Sequence, residues 1–96
     1  MFGPAAGIFA FDTDEEAVQI ANSTEMGLAS YVVTQDAGRA FRYAEHLDSG
    51  IVGINDALPT VAFTPMGGTK QSGLGREGGT DGLREFQETT YIAWRP

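Results

Sequence analysis

Pro65-Met66-Gly67-Gly68-Thr69-Lys70-Gln71-Ser72-Gly73-Leu74-Gly75-Arg76-Glu77-Gly78-Gly79 carries six of the 13 glycines of a 96-residue chain and has neither helical nor strand periodicity. Glycine loses more backbone entropy on ordering than any other residue, so a run this dense is ordered only where its geometry is required. It admits positive φ and lets another backbone or a ligand come close. A flexible linker would be Ser-rich and repetitive. Here Lys70, Arg76 and Glu77 are interleaved with the glycines, and the stretch reads as an ordered loop around which the rest of the chain is organised.

Working outward towards the N-terminus, Ile51-Val52-Gly53-Ile54-Asn55 is apolar enough for a central strand. Before it, Ala37, Ala40, Phe41, Ala44 and Leu47 recur at helical spacing, with Thr34 or Asp36 as N-cap and Gly50 as the C′ glycine. Ala29 to Thr34 is β-rich, and Thr13-Asp14-Glu15-Glu16 reads as a capping box opening a helix that runs to about Asn22. Ala6 to Phe11 is a short apolar run with the character of a buried strand. On the C-terminal side, Thr80-Asp81 open a short helix with Leu83 and Phe86 inward, and Thr89 to Trp94 alternates as a terminal strand. The expected fold is α/β: a three-layer type with βαβαβ parallel strands and right-handed crossovers, the glycine-rich loop, a short helix and a C-terminal strand. Residues 1–96 are expected to form at most a single domain.

Composition narrows the function. A net charge of −7 argues against nucleic acid, since phosphate affinity comes from clustered Lys and Arg. With no Cys the chain has no disulfide, no thiolate metal site and no thiol nucleophile. No apolar run reaches the ~20 residues of a membrane span and no basic-then-apolar leader opens the chain, so no membrane partner and a cytoplasmic location are expected. Asp12, Asp14, Glu15 and Glu16 are accounted for by helix capping and the helix dipole, so no metal site is expected. His46, the sole His, reads as an exposed helix-terminal residue.

Gly73-Leu74-Gly75-Arg76-Glu77-Gly78 has the letters of a G-x-G-x-x-G dinucleotide fingerprint. A working fingerprint follows a strand, opens a helix and has an acidic residue about 20 positions on. Neither the preceding Gly-Gly-Thr-Lys-Gln-Ser nor the remaining length suits that arrangement, and the run reads as a coincidence of glycines.

The glycine stretch, P-M-G-G-T-K-Q-S-G-L-G-R-E-G, resembles the P-F-G-G-x-K-x-S-G-x-G-R-E signature of NAD(P)-dependent aldehyde dehydrogenases, and Phe2-Gly3-Pro4 resembles the end of their E-x-F-G-P motif. The resemblance covers essentially the whole chain and is strongest to the succinate-semialdehyde group. It implies the last fifth of a longer enzyme that oxidises an aldehyde, succinate semialdehyde above all, to the acid with NAD or NADP. The family's catalytic Cys and Glu would lie upstream, so the resemblance implies no catalytic residue in this chain, no cofactor bound to it alone, and no activity of its own. Residue by residue, it implies that Phe2 lies beside the nicotinamide ribose. It also implies that Met66 replaces an aromatic wall of the small-aldehyde tunnel and that Thr60, five residues after Asn55, offers a hydroxyl to the distal carboxylate of the substrate. Lys70, Ser72, Arg76 and Glu77 match no chemical step and are expected to fix the loop. The resemblance also implies a homo-oligomer joined through Thr89 to Trp94. An alternative is an independently encoded, non-catalytic association module derived from the family; a third reading, a small nucleotide-binding protein using the glycine run, would require nucleotide affinity in the isolated chain.

Overall fold

A hydrogen-bonded cap starts each of the first two helices. The computed structural model describes residues 3–96. Helix α1 spans Asp14–Asn22, and the Thr13 hydroxyl accepts from the Glu16 amide at 3.1 Å as expected for an N-cap. The Glu16 carboxylate reaches back one residue further than a standard capping box, to the Asp12 amide at 2.8 Å. Helix α2 spans Ala37–His46 and is capped by Asp36, whose carboxylate accepts from the Arg39 amide at 3.0 Å.

Four short strands complete the architecture with a third helix. They are β1 (Met26–Gly27), β2 (Ala29–Val32), β3 (Ile51–Ile54) and β4 (Thr69–Lys70), and helix α3 spans Gly79–Arg84. Strands β2 and β3 are parallel, in register from Ala29–Ile51 to Val32–Ile54, and α2 connects them and packs on β3. Strands β1 and β4 are antiparallel, with Met26 opposite Lys70 and Gly27 opposite Thr69. The fold is therefore α/β with mixed pairing, and the all-parallel βαβαβ expectation is corrected in three places. Ala6 to Phe11 is not a strand, and Ile8 and Phe9 are exposed. Thr89 to Trp94 is likewise not a strand, and Tyr91, Ile92 and Trp94 are exposed. A strand needs a neighbour for its N–H and C=O groups; among the described residues neither segment has one. The third difference is the β1–β4 pair, two residues on each side and too short to leave a periodic signal.

Helices α1 and α2 meet through an ionic cluster. Asp14 accepts from Arg39 Nε at 3.0 Å and from the Tyr43 hydroxyl at 3.1 Å, with Arg42 at 3.6 Å. Partial burial pushes the Asp14 carboxyl up, but the bonds from Arg39 and Tyr43 outweigh it and hold the group below its ordinary value. Asp36 is also held low, chiefly by the Arg39 amide it accepts from. Both carboxylates are thus charged at neutral pH. Such part-exposed pairs orient the helices more than they stabilise them.

The apolar stripe of α2 turns out to be split. Ala40 is buried and Ala44 and Leu47 are half-buried, but Phe41 is 70% exposed, so it does not anchor a core. Leu83 and Phe86 are exposed as well; the residue that α3 buries is Gly82. Gly50 is not a helix cap either, because α2 ends three residues earlier on Leu47 in an extended conformation. Among the described residues the buried hydrophobic side chains are Val32 and Ala40. The radius of gyration is 17.7 Å, against about 12.5 Å for a compact chain of this length. The accessible surface is 8183 Å², roughly 2,900 Å² more than a compact monomer of this mass exposes.

Candidate functional site

The glycine-rich stretch is an ordered loop, bolted to three separate parts of the chain. Gly73, Gly75, Gly78 and Gly79 all have positive φ, between 58° and 115°, which L side chains adopt only under strain. Lys70 also has φ 52°, and its position is fixed by its ammonium group. Nζ donates to the carbonyl of Asn22 at 3.1 Å and of Thr24 at 3.2 Å and lies 3.1 Å from Asp48 Oδ2. A cation beside the last carbonyls of α1 also suits the negative end of the helix dipole. Ser72 Oγ accepts from the Gly27 amide at 2.8 Å, and the Gln71 amide donates to the Glu25 carbonyl at 2.9 Å. The Arg76 guanidinium turns inward and donates to the carbonyls of Gly68 at 3.0 Å and Gly75 at 2.7 Å. Glu77 acts through its backbone, exchanging two 2.7 Å bonds with Met66. Lys70, Ser72 and Arg76 therefore fix the loop through their side chains, as expected, and Glu77 through its main chain.

Close approach matters most at Gly50. A Cβ there would lie 1.7 Å from the Gly67 carbonyl oxygen and 2.7 Å from its carbon. The start of β3 and the head of the glycine loop are thus in backbone contact.

The G-x-G-x-x-G letters do not build a phosphate cradle. Within it the amides of Gly73, Arg76 and Glu77 already donate to the Lys70 carbonyl, the Glu85 carboxylate and the Met66 carbonyl. The Glu85 oxygen stands 3.2 Å from the Arg76 nitrogen, a negative charge where a phosphate would need to sit. Helix α3 has six residues and no side-chain cap. These residues do not fit a dinucleotide.

Of the residues singled out for substrate and cofactor contact, Phe2 lies outside the described residues. Met66 is 38% exposed and lines an open cavity of about 360 Å³ with Leu28, Leu74, Arg76 and Glu85 among its walls. Thr60 does not line that cavity. It is exposed on the loop after β3, immediately before the turn in which the Thr64 amide donates to the Val61 carbonyl at 3.1 Å. That turn is tied to the glycine loop by the Gly79 amide, which donates to the Ala62 carbonyl at 3.1 Å. Both residues therefore sit on segments held by the same clamp, Met66 through Glu77 and Thr60 through the Val61–Thr64 turn.

Over residues 1–92 the sequence matches the aldehyde dehydrogenase family. The chain belongs to that family. It is 52% identical over 90 residues to the succinate semialdehyde dehydrogenase of Acinetobacter baylyi, covering 94% of this chain and 19% of that protein. It is 47% identical over 91 residues to the 3-sulfolactaldehyde dehydrogenase of Pseudomonas putida, covering 95% of this chain and 19% of that protein. In three dimensions it is similar to an aldehyde dehydrogenase from Brucella melitensis biovar abortus 2308, with a TM-score of 0.84 and 51% identity over 88% of this chain and 17% of the other. The chain thus spans about a fifth of the length of the aldehyde dehydrogenases it matches.

Three residues that order these segments carry no motif signal in the sequence. Asn22 joins α1 to the end of α2, donating to the His46 carbonyl at 2.7 Å and accepting from the Asp48 amide at 2.9 Å. Asp48 neutralises Lys70. Asn55 follows β3 directly, with φ 52°. An Asn directly after an apolar strand was the one available hint, since Asn tolerates the left-handed region better than most residues.

Proposed function

We propose that this chain is the C-terminal part of an aldehyde dehydrogenase that oxidises succinate semialdehyde to the carboxylic acid with NAD or NADP. The observation that carries the reading is the exposed Thr60, on a loop tethered to the family's glycine signature, in a chain 52% identical to a succinate semialdehyde dehydrogenase. A hydroxyl at that place can donate to the distal carboxylate, and a hydrogen bond to a charged group contributes more than one between neutral groups. Met66 supplies a pliable apolar wall for the short carbon chain. Phe2 is assigned to the nicotinamide ribose. The dinucleotide accepts the hydride when bound; the residues of this chain shape the substrate end and hold the loops still.

In the complete enzyme, Thr60→Val is expected to lower kcat/KM for succinate semialdehyde about tenfold or more while leaving butanal, which lacks the carboxylate, little changed. Steady-state kinetics with the two aldehydes checks this. Equal effects on both, or none on either, would remove Thr60 from the substrate contact.

The same reading assigns Thr89 to Trp94 to association. This segment has β-branched and aromatic content, no charge between Thr89 and Trp94, and Tyr91, Ile92 and Trp94 exposed. A segment of such content without a partner in its own chain can form a strand by pairing with another chain. The surface in excess of a compact monomer also surpasses the ~800 Å² per partner of a standard interface. The chain is expected to form a homo-oligomer, most simply a two-fold dimer. Light scattering at micromolar concentration, on the intact chain and on one ending at Glu88, should show association of the first alone. A monomeric intact chain, or equal association of both, contradicts the assignment.

A further inference from the structure

We infer that Asn55 is a positioning residue that sets where the Thr60 hydroxyl stands, by replacing one rung of the β2–β3 ladder with its side-chain amide. The inference rests on the reading of Thr60 as the contact for the substrate's distal carboxylate. In a parallel ladder every second residue of a strand donates to one residue of its neighbour and accepts from the residue two further on. Asn55 makes the first bond normally, its amide donating to the Val32 carbonyl at 2.8 Å. The second bond would bring the Thr34 amide to the Asn55 carbonyl. Instead the Thr34 amide donates to Asn55 Oδ1 at 3.0 Å, and Asn55 Nδ2 donates back to the Thr34 carbonyl at 2.8 Å.

The side chain has taken over the ladder bond, which leaves the Asn55 backbone free to leave the sheet at φ 52°. Asn offers an acceptor and a donor side by side, so one amide satisfies both groups of Thr34. The departure is tight. A Cβ on Gly53 would lie 2.4 Å from the Asp56 carbonyl oxygen, so the chain doubles back over β3 within three residues. Asp56 Oδ1 then accepts from the Leu58 amide at 2.9 Å, fixing the next step, and Pro59 limits the last one before Thr60. From Asn55 to Thr60 the path has little freedom left, and its direction is chosen at Asn55.

Asn55→Gly keeps the left-handed backbone accessible and removes only the amide. In the complete enzyme it is expected to raise KM for succinate semialdehyde about tenfold, with kcat within about twofold. KM for butanal should stay at the wild-type value, a split that general loss of structure would not produce. Asn55→Asp keeps the acceptor for Thr34 but not the donor, and should fall between wild type and Asn55→Gly. It also serves if the glycine variant is poorly folded. Equal shifts for both aldehydes, or wild-type kinetics in both variants, would overturn the inference. If wild type shows no preference for the carboxylated aldehyde, or Thr60→Val leaves that preference intact, the substrate reading fails by itself. Positioning is then judged by hydrogen exchange at the Leu58 amide in Asn55→Gly: faster exchange supports it, and an unchanged rate overturns it.

Discussion

Gly50→Ala should destabilise this chain by about 3–5 kcal/mol, at the severe end of single substitutions. Ordinary overpacking costs about 1–3 kcal/mol because side chains give way. At Gly50 the obstacle is main chain: the added carbon would meet the Gly67 carbonyl oxygen at 1.7 Å, and the Gly68 Cα lies 3.1 Å away. Relief requires the glycine loop to withdraw from β3, and the bond from the Gly50 amide to the Gly27 carbonyl lies in the same contact. A small domain has on the order of 5 kcal/mol in all, so the variant should be largely unfolded or lack the clamp. Gly73→Ala is the control, since Gly73 has φ 115° but open space where its Cβ would be; it should cost only the backbone strain, about 1–3 kcal/mol. Denaturant melts followed by circular dichroism compare the two. Wild-type stability in Gly50→Ala would show that the close contact of β3 with the loop does not exist in solution.

The second large effect is a loss of catalysis. Mixed with succinate semialdehyde and NAD or NADP, the 96-residue chain should give no reduced nicotinamide above a buffer blank. Expelling hydride from an aldehyde carbon requires a nucleophile to add first, and this sequence holds no Cys. It also requires a bound acceptor, and in the one run with dinucleotide letters the amides of Gly73, Arg76 and Glu77 are committed to Lys70, Glu85 and Met66. Removing one member of a catalytic set can cost about 10⁴–10⁶ in rate; here the thiol is absent. Cofactor-dependent turnover by the purified chain would mean that it carries a different chemistry from that of its relatives.

Local signals were legible in the sequence wherever the cause was local. Thr13 and Asp36 cap the helices that follow them because a side-chain oxygen finds an amide three residues on. Ala29–Val32 and Ile51–Ile54 form strands that pair in parallel because an apolar, β-branched run separated by a helix has that option close by. Ala6 to Phe11 and Thr89 to Trp94 have the same composition, but strand formation depends on a neighbour that composition does not reveal. Phe41 followed the helical period and is still exposed, because periodicity shows which residues share a face but not what covers it. At the candidate site the glycine run was recognisable by its density, Lys70 and Arg76 by their interleaving, and Ser72 through the family signature. Their partners were not, since Asn22, Thr24, Gly27 and Asp48 lie far away in sequence and are reached mostly at backbone atoms, which every residue has.

The pairing of Gly27 with Thr69 also bears on the order of folding events. The caps of α1 and α2 and the β2–β3 ladder join residues close together or linked by one helix, and such contacts form early. The β1–β4 pair closes a loop of some forty residues, an entropic cost of about 3 kcal/mol before any of its bonds is made. During synthesis, Lys70 reaches Asn22, Thr24 and Asp48 only after the helices and parallel strands have emerged. The glycine loop therefore settles after them, and its closure ties β1 to β4 across an already assembled β2–β3 ladder.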